Sequence, residues 1–232
     1  MTSVRTVATH EVVQATFPRP ATERDELGMA VGRAIDSTLS RYSYEFSQSR
    51  HPTRTAMQRA AADFLDAEVE EAGLDLDAPE RERQLAAIGA VVQAFRQSEV
   101  MGLARPRSRL ILVNERFGIY AQPDYWDGRS RFYEMKSYLA RPIPPDVRLQ
   151  LQLFQCAFPR FRAFLACFDR HTSPVQTSLE ELPPPDEPTV QEILALGVGT
   201  ARDQGTEKVL EYVDNPIVRY AIPLPAERVP PG

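Results

Sequence analysis

The spacing of hydrophobic residues changes period once along this chain, and that change sets the order in which structural layers are laid down. Leu27, Val31, Ala34, Ile35 and Leu39 recur at the interval of one buried helix face, which predicts a first helix reaching about Phe46. Two more helices are expected over residues 53–72 and 79–98, one closed by Gly73 and the other opened by Pro79. Beyond Pro106 the period shortens to that of a strand, and residues 110–113, 117–120 and 131–138 predict three successive strands with turns at 114–116 and 127–130. Pro144-Pro145-Asp146 then opens a helix that is apolar nearly all round and ends near Phe158, and residues 160–168 read as a buried strand. Helices, three strands, helix, strand is the order of an α/β (α+β) chain in which a central mixed sheet is flanked by helices and preceded by a helical region.

The flanks are less regular. Residues 4–17 lean towards β structure, residues 175–179 predict a strand, 183–188 a proline-rich loop, 189–202 a helix, and 217–222 a last strand before a frayed tail. Gly197-Val198-Gly199 falls near a predicted helix end and reads as a helix stop. The whole of 1–232 is expected to form one domain, with a helical part over about 25–98, a core over about 107–170 and a strand-helix-strand extension over about 174–222.

Several functional classes are disfavoured at once. The longest uninterrupted apolar run is 163–168, too short to span a bilayer, and the first 24 residues hold no stretch of signal-peptide length, so no membrane association is expected. Cys156 and Cys167 are too few for a disulfide framework or a four-thiolate metal site, and free thiols in a cytoplasmic setting are the expectation. The net charge of −5 argues against a generic polyanion binder, yet residues 96–170 carry thirteen basic against seven acidic side chains. Only Lys136 and Lys208 of the 27 basic residues are lysine, so a lysine retained in this arginine-rich chain invites a chemical explanation.

That explanation is offered by residues 122–138, QPDYWDGRSRFYEMKSY. Strand alternation puts Glu134 and Lys136 on one face and Tyr133 and Met135 on the other, while a turn at 127–130 would return Asp124 beside Glu134. Two facing carboxylates repel unless a cation lies between them, and hard oxygen donors of this kind suit Mg²⁺ or Mn²⁺. A salt-bridge ladder on an exposed hairpin is the plain structural alternative. Trp126 could stack on a base, and Arg129, Arg131 and Arg141, with Arg105, Arg107, Arg109, Arg160 and Arg162, could track phosphates. His10, His51 and His171 show no metal-ligand spacing, and no nucleophile turn accompanies Asp169 and His171.

Pro123-Asp124, nine intervening residues and Glu134-Met135-Lys136 resemble the PD-(D/E)XK nuclease signature, and the chain looks like the RecB and Cas4 branch. The likeness continues into Arg148-Leu-Gln150-Leu-Gln-Leu-Phe154, where that branch has a Gln-x-x-x-Tyr helix and this chain has Phe154, and it spans roughly residues 27–168. The resemblance implies a restriction-endonuclease-like core and a nuclease that hydrolyses DNA phosphodiesters with a metal-bound water as nucleophile, RNA being the alternative substrate. It implies Asp124, Glu134 and the Met135 carbonyl as metal ligands, Lys136 as the residue serving the water, and Gln150 as a positioning residue. Where the branch often has Gly-x-x-x-His, this chain has Gly28-Met-Ala-Val-Gly32; Asp36 and Glu99 are conceivable substitutes, with solvated surface acids the plainer reading of each. Two cysteines cannot hold the four-cysteine iron-sulfur cluster of Cas4 proteins, so none is expected. A non-cleaving module that binds nucleic acid or docks its acidic flank on a partner in a larger complex is the second functional class. Lys136→Ala is expected to abolish cleavage and leave folding intact, since Lys136 serves chemistry and not the core.

Overall fold

A computed structural model describes residues 3–18, 25–47, 49–103, 105–106, 111–114, 118–121, 123–127, 129–139, 141–157, 161–184, 186–205, 208–211 and 217–219. The elements run β1 (Ser3–Ala8), α1 (Thr9–Thr16), α2 (Glu26–Ser47), α3 (Arg54–Glu71), α4 (Ala78–Gln97), α5 (Glu99–Leu103), β2 (Arg105–Pro106), β3 (Ile111–Asn114), β4 (Ile119–Ala121), β5 (Tyr125–Trp126) and β6 (Arg131–Lys136). They continue with α6 (Pro145–Ala157), β7 (Arg162–Asp169), β8 (Gln176–Glu181), α7 (Glu187–Asp203), β9 (Lys208–Glu211) and β10 (Ile217–Arg219). The chain is a mixed α/β fold in which helices flank mixed sheets.

Two of the three long helices, α3 and α4, start on local chemistry. Thr53 Oγ1 accepts from the Ala56 amide at 3.2 Å and Asp77 Oδ1 from the Glu80 amide at 2.8 Å, each taking up an amide that the first helical turn leaves unbonded. Pro79 sits in the first turn of α4, and Gly73, after α3, adopts the left-handed φ of 65° that favours glycine.

The strands divide into two five-stranded sheets, ordered β10-β3-β4-β1-β9 and β2-β5-β6-β7-β8. In the second, β6 and β7 run parallel, with Lys136 opposite Cys167, while β5 and β8 flank them antiparallel. Helices cover both faces of this pair. Tyr133, Met135, Phe164, Ala166 and Phe168 pack into one cluster with Ile35 and Leu39 of α2, Leu65 of α3 and Phe95 of α4. Phe132, Ala163, Leu165 and Cys167 pack into the other with Val12 of α1, Leu151 and Phe154 of α6 and Leu194 of α7. Burial on both faces is why β7 reads as a continuous apolar run rather than an alternation.

Some expectations change. The run at 4–17 is strand β1 followed directly by helix α1, because Val12 and Val13 are buried against α7 and α6 whatever their strand propensity. The strand that pairs with β6 is the two-residue β5, which follows Asp124; β4 ends at Ala121 and belongs to the other sheet. Gly197 and Gly199 do not stop a helix: both lie inside α7. A β-carbon on Gly197 would come within 2.5 Å of Val12 Cγ1, so this glycine is where α1 and α7 approach closely. The tail from residue 220 lies outside the described residues, as do 107–110.

Candidate active site

At the C-terminal end of β6 a cleft of about 730 Å³ opens between α1 and α2, lined from the strand end by Met135, Lys136, Ser137 and Tyr138, with Asp36, Asp146 and Arg170 around it. Alternation along β6 sends Tyr133 and Met135 into the helical core, so Glu134 and Lys136 share the opposite face. Lys136 Nζ donates to Glu134 Oε1 at 2.7 Å, and Glu134 is only 5% exposed. From the adjoining segment, Asp124 Oδ2 accepts from the Met135 amide at 2.7 Å, immediately before β5 pairs with β6. Asp124, Glu134, Met135 and Lys136 thus meet, as the 122–138 segment predicts.

Helix α2 adds a third acid. Asp36 is exposed at the cleft, yet desolvation by the protein around it pushes its carboxyl up to about 7; Lys136 pulls the other way, and Glu134 adds to the rise. Asp124 is raised well above the usual carboxylate range, first by burial, then by repulsion from Glu134 and Asp36, against the pull of Lys136 and the Met135 amide. Burial alone would lower Lys136, but Glu134 and Asp124 outweigh it and its ammonium titrates above the ordinary lysine range. One firmly protonated ammonium therefore faces three carboxyls, of which Glu134 is buried, Asp124 half-buried and Asp36 exposed. Both readings of Asp36 meet here: it is an exposed acid, and, one turn beyond Gly32 on the same face of α2, it stands by Lys136 and Glu134.

Other residues fall elsewhere. Gln150 is half-buried on α6, whose first turn supplies Asp146 to the cleft; Gln150 does not line it. The buried amide on that helix is Gln155, which donates to the Leu182 carbonyl at 3.1 Å, and Phe154 packs edge-on to Phe132 in the core. Arg131 lies on the far face of β6, with its guanidinium 5.7 Å from the centre of the Phe164 ring, and Arg162 pairs with Glu181. Arg129 and Arg141 are exposed and do not line the cleft. Trp126 pairs through its backbone with Phe132 and Arg105; its side chain lies outside the described residues. Asp127 is committed to its turn, where Oδ1 accepts from the amides of Arg129, Ser130 and Arg131. Glu99 is exposed at the start of α5.

The donor set suits a small hard cation. Asp36, Asp124 and Glu134 offer only oxygen ligands; burial above all, and at Asp124 repulsion from the other two, disfavours the charged forms of Asp36 and Asp124, a condition a divalent ion relieves. Among the described residues no three His, Cys, Asp or Glu side chains form a ready-made cage; the acids are joined through Lys136 and Met135 instead. No helix among them is long and apolar enough to cross a membrane.

Neither a family model nor a curated protein matches the chain. It is similar to the crystal structure of an alkaline exonuclease (LHK-Exo) from Laribacter hongkongensis, at 15% identity over 78% of this chain and 94% of that one, with a TM-score of 0.38. It is also similar to the crystal structure of SSO0001, at 14% identity over 82% and 83% of the two chains, with a TM-score of 0.32.

Proposed function

We propose that this protein is a divalent-metal-dependent nuclease of the PD-(D/E)XK superfamily, on the RecB and Cas4 side of it, that hydrolyses phosphodiester bonds of DNA. The observation that carries the reading is the placement of Asp124, Glu134 and Lys136 around one strand end, in the spacing of the PD-(D/E)XK signature, with Asp36 facing them. In a purely structural ladder these charges would stand exposed, where an ion pair adds little; here Glu134 is buried and Asp124 is held by a backbone amide.

Asp124 and Glu134, with Asp36 and the Met135 carbonyl, are the groups that would hold Mg²⁺ or Mn²⁺. Such an ion, when bound, polarises a phosphoryl oxygen and makes water more acidic. Lys136 is the chain's own contribution to charge stabilisation: its ammonium, kept protonated by the acids around it, can orient a water or meet charge growing on a phosphoryl oxygen. A lysine suits this task better than an arginine because its compact charge needs no planar partner.

The test is incubation of the purified protein with linear and circular, single- and double-stranded DNA, and with RNA, in Mg²⁺, Mn²⁺ or EDTA, beside Lys136→Ala. Cutting that requires the metal and disappears in the variant supports the reading, and the substrates cut give the strandedness and show whether cutting needs an end. A folded protein that cuts nothing in any of these conditions would overturn it in favour of a non-cleaving binding module.

A further inference from the structure

Three permanently charged cations line the cleft: Lys136, Arg33 and Arg170. Lys136 is bound to Glu134, and Arg33 to Glu68. Among the described residues Arg170 alone of the three has no carboxylate within ion-pair distance; its Nη1 donates to the neutral Ser137 Oγ at 2.9 Å. Asp25 and Asp169 attract it from beyond ion-pair distance, and each also accepts a backbone amide, Asp25 Oδ1 from Gly28 at 2.7 Å and Asp169 Oδ1 from His171 at 3.0 Å. A half-buried guanidinium stripped of part of its water, with nearby acids but no carboxylate in direct contact, keeps donors free for an oxyanion.

The surroundings are shaped for that anion. Ser137 and Arg170 directly follow the parallel neighbours β6 and β7, and the Arg170 amide donates to the Ser137 carbonyl at 3.1 Å. Ligands of parallel strands gather outside their C-terminal ends. Opposite stands Gly32, where a β-carbon would lie 3.7 Å from Arg170 Nη1 and 3.8 Å from Ser137 Oγ, so any longer side chain would fill the space in front of the guanidinium. Asp36, by Lys136 and Glu134, and Asp146 also line the cleft and repel an anion near them, while Asp25 stands close enough to Arg170 to attract it.

We propose that Arg170 and Ser137, in the space that Gly32 leaves open, bind a phosphate of the substrate strand next to the phosphate that is cleaved. This rests on the nuclease reading above. The ligand chemistry is a phosphate oxyanion taken by a planar fork, either the terminal phosphate of a strand or an internal diester.

The experiment compares wild type, Arg170→Gln, Arg170→Lys and Gly32→Leu on one oligonucleotide carrying a 5′-phosphate or a 5′-hydroxyl. Steady-state cleavage is measured in Mn²⁺, and binding by fluorescence anisotropy in Ca²⁺. Arg170→Gln should raise KM and Kd about tenfold or more with kcat within about twofold, the signature of lost binding rather than lost chemistry. Arg170→Lys should recover part of the loss. Gly32→Leu, a helix-favouring change, should reproduce the KM rise with the arginine intact. A loss confined to the phosphorylated strand identifies a terminal phosphate, and an equal loss on both identifies a diester; each supports the subsite. Unchanged KM and Kd in the folded Arg170→Gln and Gly32→Leu variants would overturn the subsite and leave the nuclease reading standing. Arg170-dependent binding by a wild-type protein that never cuts would overturn the nuclease reading and keep the subsite, and absence of both binding and cutting would remove both.

Discussion

The Met135 amide donates to Asp124 Oδ2 at 2.7 Å, so Asp124 is anchored by the backbone of the strand that presents Glu134 and Lys136, one residue before the β5–β6 pairing begins. A backbone hydrogen bond of this kind holds the carboxylate against the strand, as the proposed metal-ligand role requires.

Asp124→Asn separates charge from position, because the amide oxygen can still accept from Met135. The variant should fold, lose cleavage, and be more stable than wild type in EDTA at alkaline pH, where the repulsion of Asp124 by Glu134 and Asp36 is greatest. Urea unfolding beside the cleavage assay checks both halves; a less stable variant would show that the carboxylate is there for the fold.

The acid cluster should make metal-free stability fall as pH rises. A carboxyl whose folded value lies above its unfolded one binds its proton more tightly in the folded state, so its contribution is full below the unfolded value of 3.8 and is lost as pH climbs through about 7 for Asp36. Asp124 acts in the same direction. Since a cation competes with those protons, stabilisation by Mn²⁺ should grow over the same window. Thermal melts in EDTA and in Mn²⁺ between about pH 5 and pH 8 measure it, and Asp36→Asn should flatten the EDTA curve.

Removing Lys136 should cost more than activity. Sequence alone implies that Lys136→Ala folds normally, but Lys136 bonds a Glu134 side chain only 6% exposed and also offsets Asp124 and Asp36. Stranding that carboxylate should destabilise the metal-free protein by about 3 kcal/mol near neutral pH, less in acid where the carboxyls are protonated. Denaturant titration at two pH values tests this; no loss at either would mean that solvent already screens the pair.

What the sequence makes legible follows from how local each determinant is. The helix faces of α2 to α4 and the Glu134–Lys136 face are written in spacings of a few residues, and these match the structure. Asp36 is different: its approach to Lys136 brings together residues a hundred positions apart, which no local period encodes. Arg131 fails for the opposite reason, since the alternation that puts Glu134 and Lys136 on one face sends Arg131 to the other, over Phe164. The assignment of β3 and β4 to a separate sheet depends on β1 and β10, short strands from the two ends of the chain.

The two glycines of α7 give opposite expectations for one substitution. At Gly197 a new β-carbon would meet Val12 Cγ1 at 2.5 Å and the Val12 carbonyl oxygen at 3.4 Å, and a valine on a helix has little rotamer freedom with which to yield. Gly197→Ala should therefore push α1 from α7 and cost about 1–3 kcal/mol. Nothing lies within 4 Å of a β-carbon at Gly199, so Gly199→Ala should gain up to about 1 kcal/mol from helix propensity alone. Because α1 also forms one wall of the cleft, Gly197→Ala should lower activity as well, and Gly199→Ala should not. Parallel melts and cleavage assays decide it: equal stabilities for the two variants would mean that α1 and α7 do not approach at Gly197.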